Sequence, residues 1–164
     1  MTTIKDFDIS NDLFSFMKQE QINKDILLLV DDLVKIGFIE KTLFQEDMNQ
    51  LMRTISNNGL TCSIKPHPFN PQLYGNMKNQ KHILPGFIPA NYFIISNHWK
   101  YIIGLITTAL FDAQDQTDAE IICVIDCLHW KNDRDRQHMK NWLLKHNKRI
   151  LFPRGWDEFD KLLG

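Results

Sequence analysis

Apolar positions in the first third of the chain recur at the three- and four-residue spacing of amphipathic helices. The spacing predicts a helix over residues 23–36, where Ile26, Leu29 and Leu33 share one face and Gly37 follows as a left-handed stop. A second helix is predicted over residues 42–55, and a short capped helix over residues 10–17. The two longer helices would form an antiparallel hairpin that turns at Gly37.

The pattern changes after Gly59 to short runs rich in β-branched and aromatic residues, which favour strands. Strands are predicted over residues 60–64 and 120–127, and the second is apolar on both faces, as in the middle of a sheet. Residues 92–96 and 99–110 are interpreted as a β-hairpin. Residues 66–89 carry five prolines and two glycines, so little regular structure is expected in this long loop.

The end of the chain alternates helical and extended patterns. A helix over residues 133–146, a strand over 149–152 and a helix over 156–163 follow the strand at 120–127. Two strands separated by one helix favour parallel pairing through a crossover. The sequence therefore predicts an α+β fold, in which an N-terminal helical hairpin packs on a mixed β-sheet with a C-terminal βαβα tail. We expect a single domain over 1–164, with 1–59 as the helical layer and 60–164 as the sheet with its flanking helices.

Composition restricts the class of protein without naming a function. The 164 residues are 43% hydrophobic and 24% charged, which is typical of a globular domain that buries its own core. No apolar run approaches the roughly 18 residues of a membrane span, and the first residues contain no apolar leader, so we expect a cytoplasmic protein with no membrane segment. Three cysteines without paired spacing favour reduced core thiols. The glycine motifs of nucleotide-binding loops and the motifs of serine hydrolases and zinc proteases are absent from the sequence.

Charge is distributed unevenly, although the net charge is only -1. Residues 60–110 contain four lysines and no Asp or Glu, and residues 131–149 contain seven basic side chains against two acidic ones. Such blocks are typical of surfaces that bind an acidic protein or a phosphate backbone. The competing interpretation is that acidic and basic segments of one domain face each other or the solvent.

Aromatic and basic side chains near these blocks are the candidates for binding, because Trp, Tyr and Arg are frequent interface anchors. The candidates in the long loop are Phe69, Tyr74 and Phe87, and those near the second basic block are Trp130, Arg134, His138 and Lys145. Packing of the aromatic rings on their own domain is the alternative.

A second hypothesis rests on carboxylates near predicted strand ends and a nearby lysine. Asp112, Glu120, Asp126 and Lys131 are the residue types with which a nuclease holds Mg²⁺ and supports the attacking water. In outline, residues 42–152 resemble the restriction-endonuclease-like fold of PD-(D/E)xK nucleases. The sequence departs from the motif of that family, since Leu128 stands where the lysine belongs and no Pro-Asp pair precedes it.

The sequence therefore favours a small non-enzymatic binding protein, of the inhibitor or immunity-protein kind, that engages an acidic protein partner or a phosphate backbone. This function needs no cofactor. The alternative is a divergent or inactive nuclease of restriction-endonuclease-like fold, which would require Mg²⁺.

Overall fold

The computed structural model describes residues 22–164, and the short helix expected over residues 10–17 lies outside them. The described strands are β1 (Ile26–Val30), β2 (Cys62–Pro66), β3 (Tyr101–Gly104) and β4 (Glu120–Cys123). The described α-helices are α1 (Leu33–Ile36), α2 (Lys41–Asn57), α3 (Ala90–Ser96), α4 (Ala109–Gln116), α5 (Asp133–His146) and α6 (Trp156–Leu163). Short 3-10 helices cover Gly75–Asn79 and Ile125–Cys127. The predicted mixture of helices and strands is confirmed.

The four strands form one sheet in the order β2-β1-β3-β4, and every neighbouring pair is parallel. At the centre, Leu28 of β1 lies between Ile64 of β2 and Ile103 of β3. Leu151 adds an isolated parallel bridge to Ile122. The prediction of a mixed sheet is therefore wrong, because helical or long irregular segments separate all consecutive strands and allow them to run in one direction.

The helix predicted over residues 23–36 is also wrong, since Ile26–Val30 is a strand and only Leu33–Ile36 is helical. All five residues of β1 are buried, because β1 has a neighbour on each side and helices cover both faces of the sheet. A strand buried in this way carries apolar residues at every position, so its sequence does not show the alternation of a half-exposed strand. Gly37 ends the short helix α1 in the left-handed conformation, as predicted.

Alternate residues of the strands contribute to two hydrophobic clusters, one on each face of the sheet. On the first face, Ile26, Leu28 and Val30 pack with Phe44 and Leu51 of α2 and with Phe159 of α6. On the second face, Leu27 and Leu29 pack with residues of α3, α4 and α5. The helices thus divide into a layer of α2 and α6 and a layer of α3, α4 and α5.

The remaining predicted elements have mixed outcomes. The helices predicted over residues 42–55, 133–146 and 156–163 are present as α2, α5 and α6, and residues 62–66 and 120–123 are strands. The β-hairpin predicted over residues 92–110 is wrong, because this region contains α3, β3 and the start of α4. Residues 149–152 contribute one bridge at Leu151 and no strand, so the C-terminal βαβα tail is not confirmed. Within residues 22–164, no helix has the length and apolar character needed to cross a bilayer.

Candidate functional site

The strand order creates a crevice at the carboxyl ends of β1 and β3. The chain leaves β1 through α2 on the first face of the sheet and leaves β3 through α4 on the second face. In parallel sheets of this kind, the connections diverge where the strand order reverses, and ligands bind in the resulting crevice. Asp31 and Asp32 follow directly after β1 and lie at this point.

Asp31 is a buried carboxylate that connects the ends of the two strands. Its Oδ2 lies 3.4 Å from the backbone nitrogen of Ile106, which follows β3. Desolvation raises the pKa of Asp31, and the hydrogen bond from Ile106 opposes this rise only in part. Ionised Asp31 is therefore stabilised less well in the folded protein than in water.

Asp32 is also buried but has better hydrogen-bond partners. Its Oδ1 accepts a bond from the backbone N–H of Lys35 at 2.9 Å, which caps α1. The same oxygen accepts a bond from Tyr74 Oη at 2.9 Å. Burial and the proximity of Asp32 raise the pKa of Tyr74 to about 12. Asp32 therefore holds the long loop against the end of β1.

Lys65 connects the two ends of the long loop through hydrogen bonds. Its side chain is buried in β2, and Nζ donates to the carbonyl oxygens of Pro66 at 2.7 Å and of Gly86 at 3.0 Å. No carboxylate of residues 22–164 forms an ion pair with it. Desolvation lowers the pKa of Lys65 to about 8.

An open cavity of about 490 Å³ lies beside Asp32, between the long loop and the first residues of α1 and α2. Three lysines from separate segments line it, and they are Lys35, Lys41 and Lys78. The 3-10 helix that carries Lys78 is docked on α2, because the backbone nitrogen of Asn76 donates to Asn49 Oδ1 at 2.7 Å and Met77 is fully buried. Phe69 and Tyr74 also line this cavity, which we call the lysine cavity.

A separate basic surface lies on α5, in the other helical layer. Arg134, His138 and Lys145 are exposed, as predicted, and they follow the helical repeat along one face. None of them forms an ion pair within the described part of the chain. Leu144 precedes Lys145, lies about 100° around the helix axis from it and is 40% exposed. We call these four residues the α5 face.

The residues of the nuclease hypothesis are not brought together. Asp112 lies on α4 and accepts a hydrogen bond from Asn91, and Glu120 is exposed at the amino end of β4. Asp126 follows the carboxyl end of β4, where its two oxygens accept bonds from Arg136 and Lys140. Lys131 pairs with Glu40 at 2.8 Å. Each of the four side chains therefore lies in a different local environment.

The aromatic candidates divide into exposed and packed residues. Phe69 is 85% exposed and Phe87 is 64% exposed, whereas Tyr74 is buried beneath the loop. Trp130 packs against Phe38, with ring centroids 5.1 Å apart, and its Nε1 donates to the carbonyl oxygen of Ile125 at 2.9 Å. Trp130 and Tyr74 therefore pack within their own domain, as the alternative interpretation of the aromatic residues expected.

A second cleft, of about 440 Å³, lies between α2 and the start of α6, and it contains the hydrogen-bonded pair of Asp47 and His129. Asp47 is almost fully buried, and it accepts bonds from His129 Nδ1 at 2.6 Å and from the His129 backbone nitrogen at 2.9 Å. Desolvation raises the pKa of Asp47, and both bonds from His129 oppose the rise. The pair attaches the segment before α5 to α2.

None of the residues Asp31, Asp32, Lys35 and Lys41 was predicted from the sequence to belong to a site. The available signal was a run of five apolar residues followed by two aspartates, which is also consistent with a buried parallel strand that ends at a site. Among residues 22–164, no three His, Cys, Asp or Glu side chains are grouped so as to hold a metal ion. Comparison of the chain with protein-family models, with curated proteins and with solved structures finds no match.

Proposed function

We propose that this chain is a non-enzymatic binding protein that engages an acidic protein partner through the α5 face, in the manner of an inhibitor or an immunity protein. The observation that carries the proposal is that Arg134 and Lys145 are exposed on one helical face without an ion pair among the described residues. The other cations of this helix, Arg136 and Lys140, pair instead with Asp126.

The chemistry of the α5 face favours a protein over a nucleic acid. Arg134 and Lys145 are separated by about 16 Å along the helix axis at 1.5 Å per residue. Duplex DNA presents a phosphate charge about every 1.7 Å, so two permanent charges over this length neutralise little of a backbone. Leu144, which precedes Lys145, adds an exposed apolar side chain at the border of the α5 face. A mixed basic and apolar surface matches an acidic protein that also offers apolar side chains.

The test compares tagged wild-type protein with the double variant Arg134→Glu/Lys145→Glu in pull-downs from native lysate, with and without nuclease treatment. A matched control is Lys81→Glu/Lys161→Glu, which reverses two exposed lysines elsewhere. We expect one stoichiometric protein to bind the wild type and the control after nuclease treatment, and to be lost from the α5 variant. Equal recovery on all three proteins, or recovery of nucleic acid alone, would contradict the proposal.

The nuclease alternative receives no support from the contacts of its four residues, and we do not carry it forward as a second function.

A further inference from the structure

We propose that the lysine cavity binds a small ligand that joins an aromatic ring to phosphate groups, of the nucleoside diphosphate or triphosphate class. This site is distinct from the α5 face, because it lies beside α2 in the other helical layer.

The position and size of the cavity suit a small molecule. It lies beside Asp32, which follows the carboxyl end of β1, on the side of the long loop that follows β2. Its volume of about 490 Å³ is within the usual range of roughly 300–1,000 Å³ for small-molecule sites.

The charge of the cavity suits a polyanion. Lys35, Lys41 and Lys78 converge from α1, from α2 and from the long loop, and none of them forms an ion pair within residues 22–164. Among the described residues, Asp32 is the one carboxylate in the lining, and its Oδ1 already accepts bonds from Tyr74 and from the backbone of Lys35. The described lining therefore carries three lysines and one hydrogen-bonded carboxylate. Phosphate groups would satisfy these unpaired cations.

The aromatic part of the ligand is inferred from Phe69. This side chain is 85% exposed although it belongs to the most apolar class of residues, and it lies in the cavity wall beside the lysines. Its backbone nitrogen donates to His67 Nδ1 at 3.2 Å, and its ring lies 5.9 Å from the ring of His67. An exposed ring held next to cations provides a stacking surface for a base whose phosphates reach the lysines.

Hydrogen bonds also hold the ends of the long loop and Tyr74 in place. Lys65 binds the carbonyl oxygens of Pro66 and Gly86, and Tyr74 binds Asp32. A wall that is fixed before binding reduces the entropy lost when a ligand is taken up.

The experiment is isothermal titration calorimetry of the purified full chain with three probes, which are ADP, inorganic pyrophosphate and adenosine. We expect saturable binding of ADP, weaker binding of pyrophosphate and no measurable binding of adenosine. The variant Lys35→Gln/Lys41→Gln/Lys78→Gln should weaken ADP binding by roughly a hundredfold, if each charge-assisted contact is worth about fivefold. Phe69→Ala should weaken ADP binding by about tenfold and pyrophosphate binding hardly at all.

Two controls make the result decisive. Lys24→Gln/Lys81→Gln removes two lysines that line a different cavity, and it should bind ADP like the wild type. A pentaglutamate peptide tests whether the cavity prefers an acidic segment. The proposal is overturned if neither ADP nor pyrophosphate binds with a Kd below about 1 mM. It is equally overturned if the control variant loses binding as strongly as the cavity variant, or if the peptide binds more tightly than ADP through the same lysines.

Discussion

Replacing Asp126 by Asn should destabilise the protein strongly, because this carboxylate joins the end of β4 to α5. The Asp126 side chain is only 7% exposed, and its two oxygens pair with Arg136 and Lys140, which are 22% and 25% exposed. The substitution preserves shape but removes the negative charge, and it leaves two cations facing a neutral amide. Removing one partner of a buried ion pair costs about 3–5 kcal/mol, and the partial exposure of both cations reduces our expectation to about 3 kcal/mol.

The assay is urea and thermal unfolding at neutral pH, followed by circular dichroism. For a chain of this length, 1 kcal/mol corresponds to roughly 2–4 °C in Tm, so a loss of about 3 kcal/mol lowers Tm by roughly 6–12 °C. Asp133→Asn is the matched control, because Asp133 also binds Arg136 but is 74% exposed. An exposed pair contributes less than about 1 kcal/mol.

The outcome also distinguishes a structural role of Asp126 from a role as a Mg²⁺ ligand. If Asp126 served only to bind Mg²⁺ in a nuclease, its replacement by Asn would abolish metal-dependent cleavage and leave Tm nearly unchanged. If Asp126→Asn destabilises the protein no more than Asp133→Asn does, then the ion pairs are not a structural clamp and our reasoning is refuted.

Two further substitutions test the crevice and the core. Desolvation raises the pKa of Asp31, so the contribution of this group to stability is present at acidic pH and is lost as pH rises through its folded pKa. Asp31→Asn, which keeps an acceptor for Ile106, should therefore stabilise the protein by about 1 kcal/mol at pH 7 and by less near pH 4 in urea unfolding. An advantage that is the same at both pH values would contradict this. Gly104→Ala should destabilise it by about 1–3 kcal/mol, because the added Cβ would lie 2.8 Å from Leu110 Cδ1 in a fully buried position. If the variant and the wild type have the same urea midpoint, Leu110 moves aside without cost and the expectation is wrong.

The helices α5 and α6 were predictable from the sequence because their signals are local. Asp133–His146 and Trp156–Leu163 have polar faces and acidic first turns, and their periodicity persists over two or more turns. The exposure of Arg134, His138 and Lys145 follows from the same periodicity, so these three residues of the α5 face were identified in advance, whereas Leu144 was not.

Only the tertiary structure decided the identity of β1, the direction of the sheet and the lysine cavity. The run Ile26–Val30 is apolar at every position, so its conformation depends on whether neighbouring strands are available to pair with it. Lys35 lies in α1 and Lys41 begins α2, whereas Lys78 lies in the long loop, about 40 residues further along the chain. No local pattern relates them. Their convergence follows from parallel strands whose carboxyl ends meet at one edge of the sheet, and this arrangement is a property of long-range pairing.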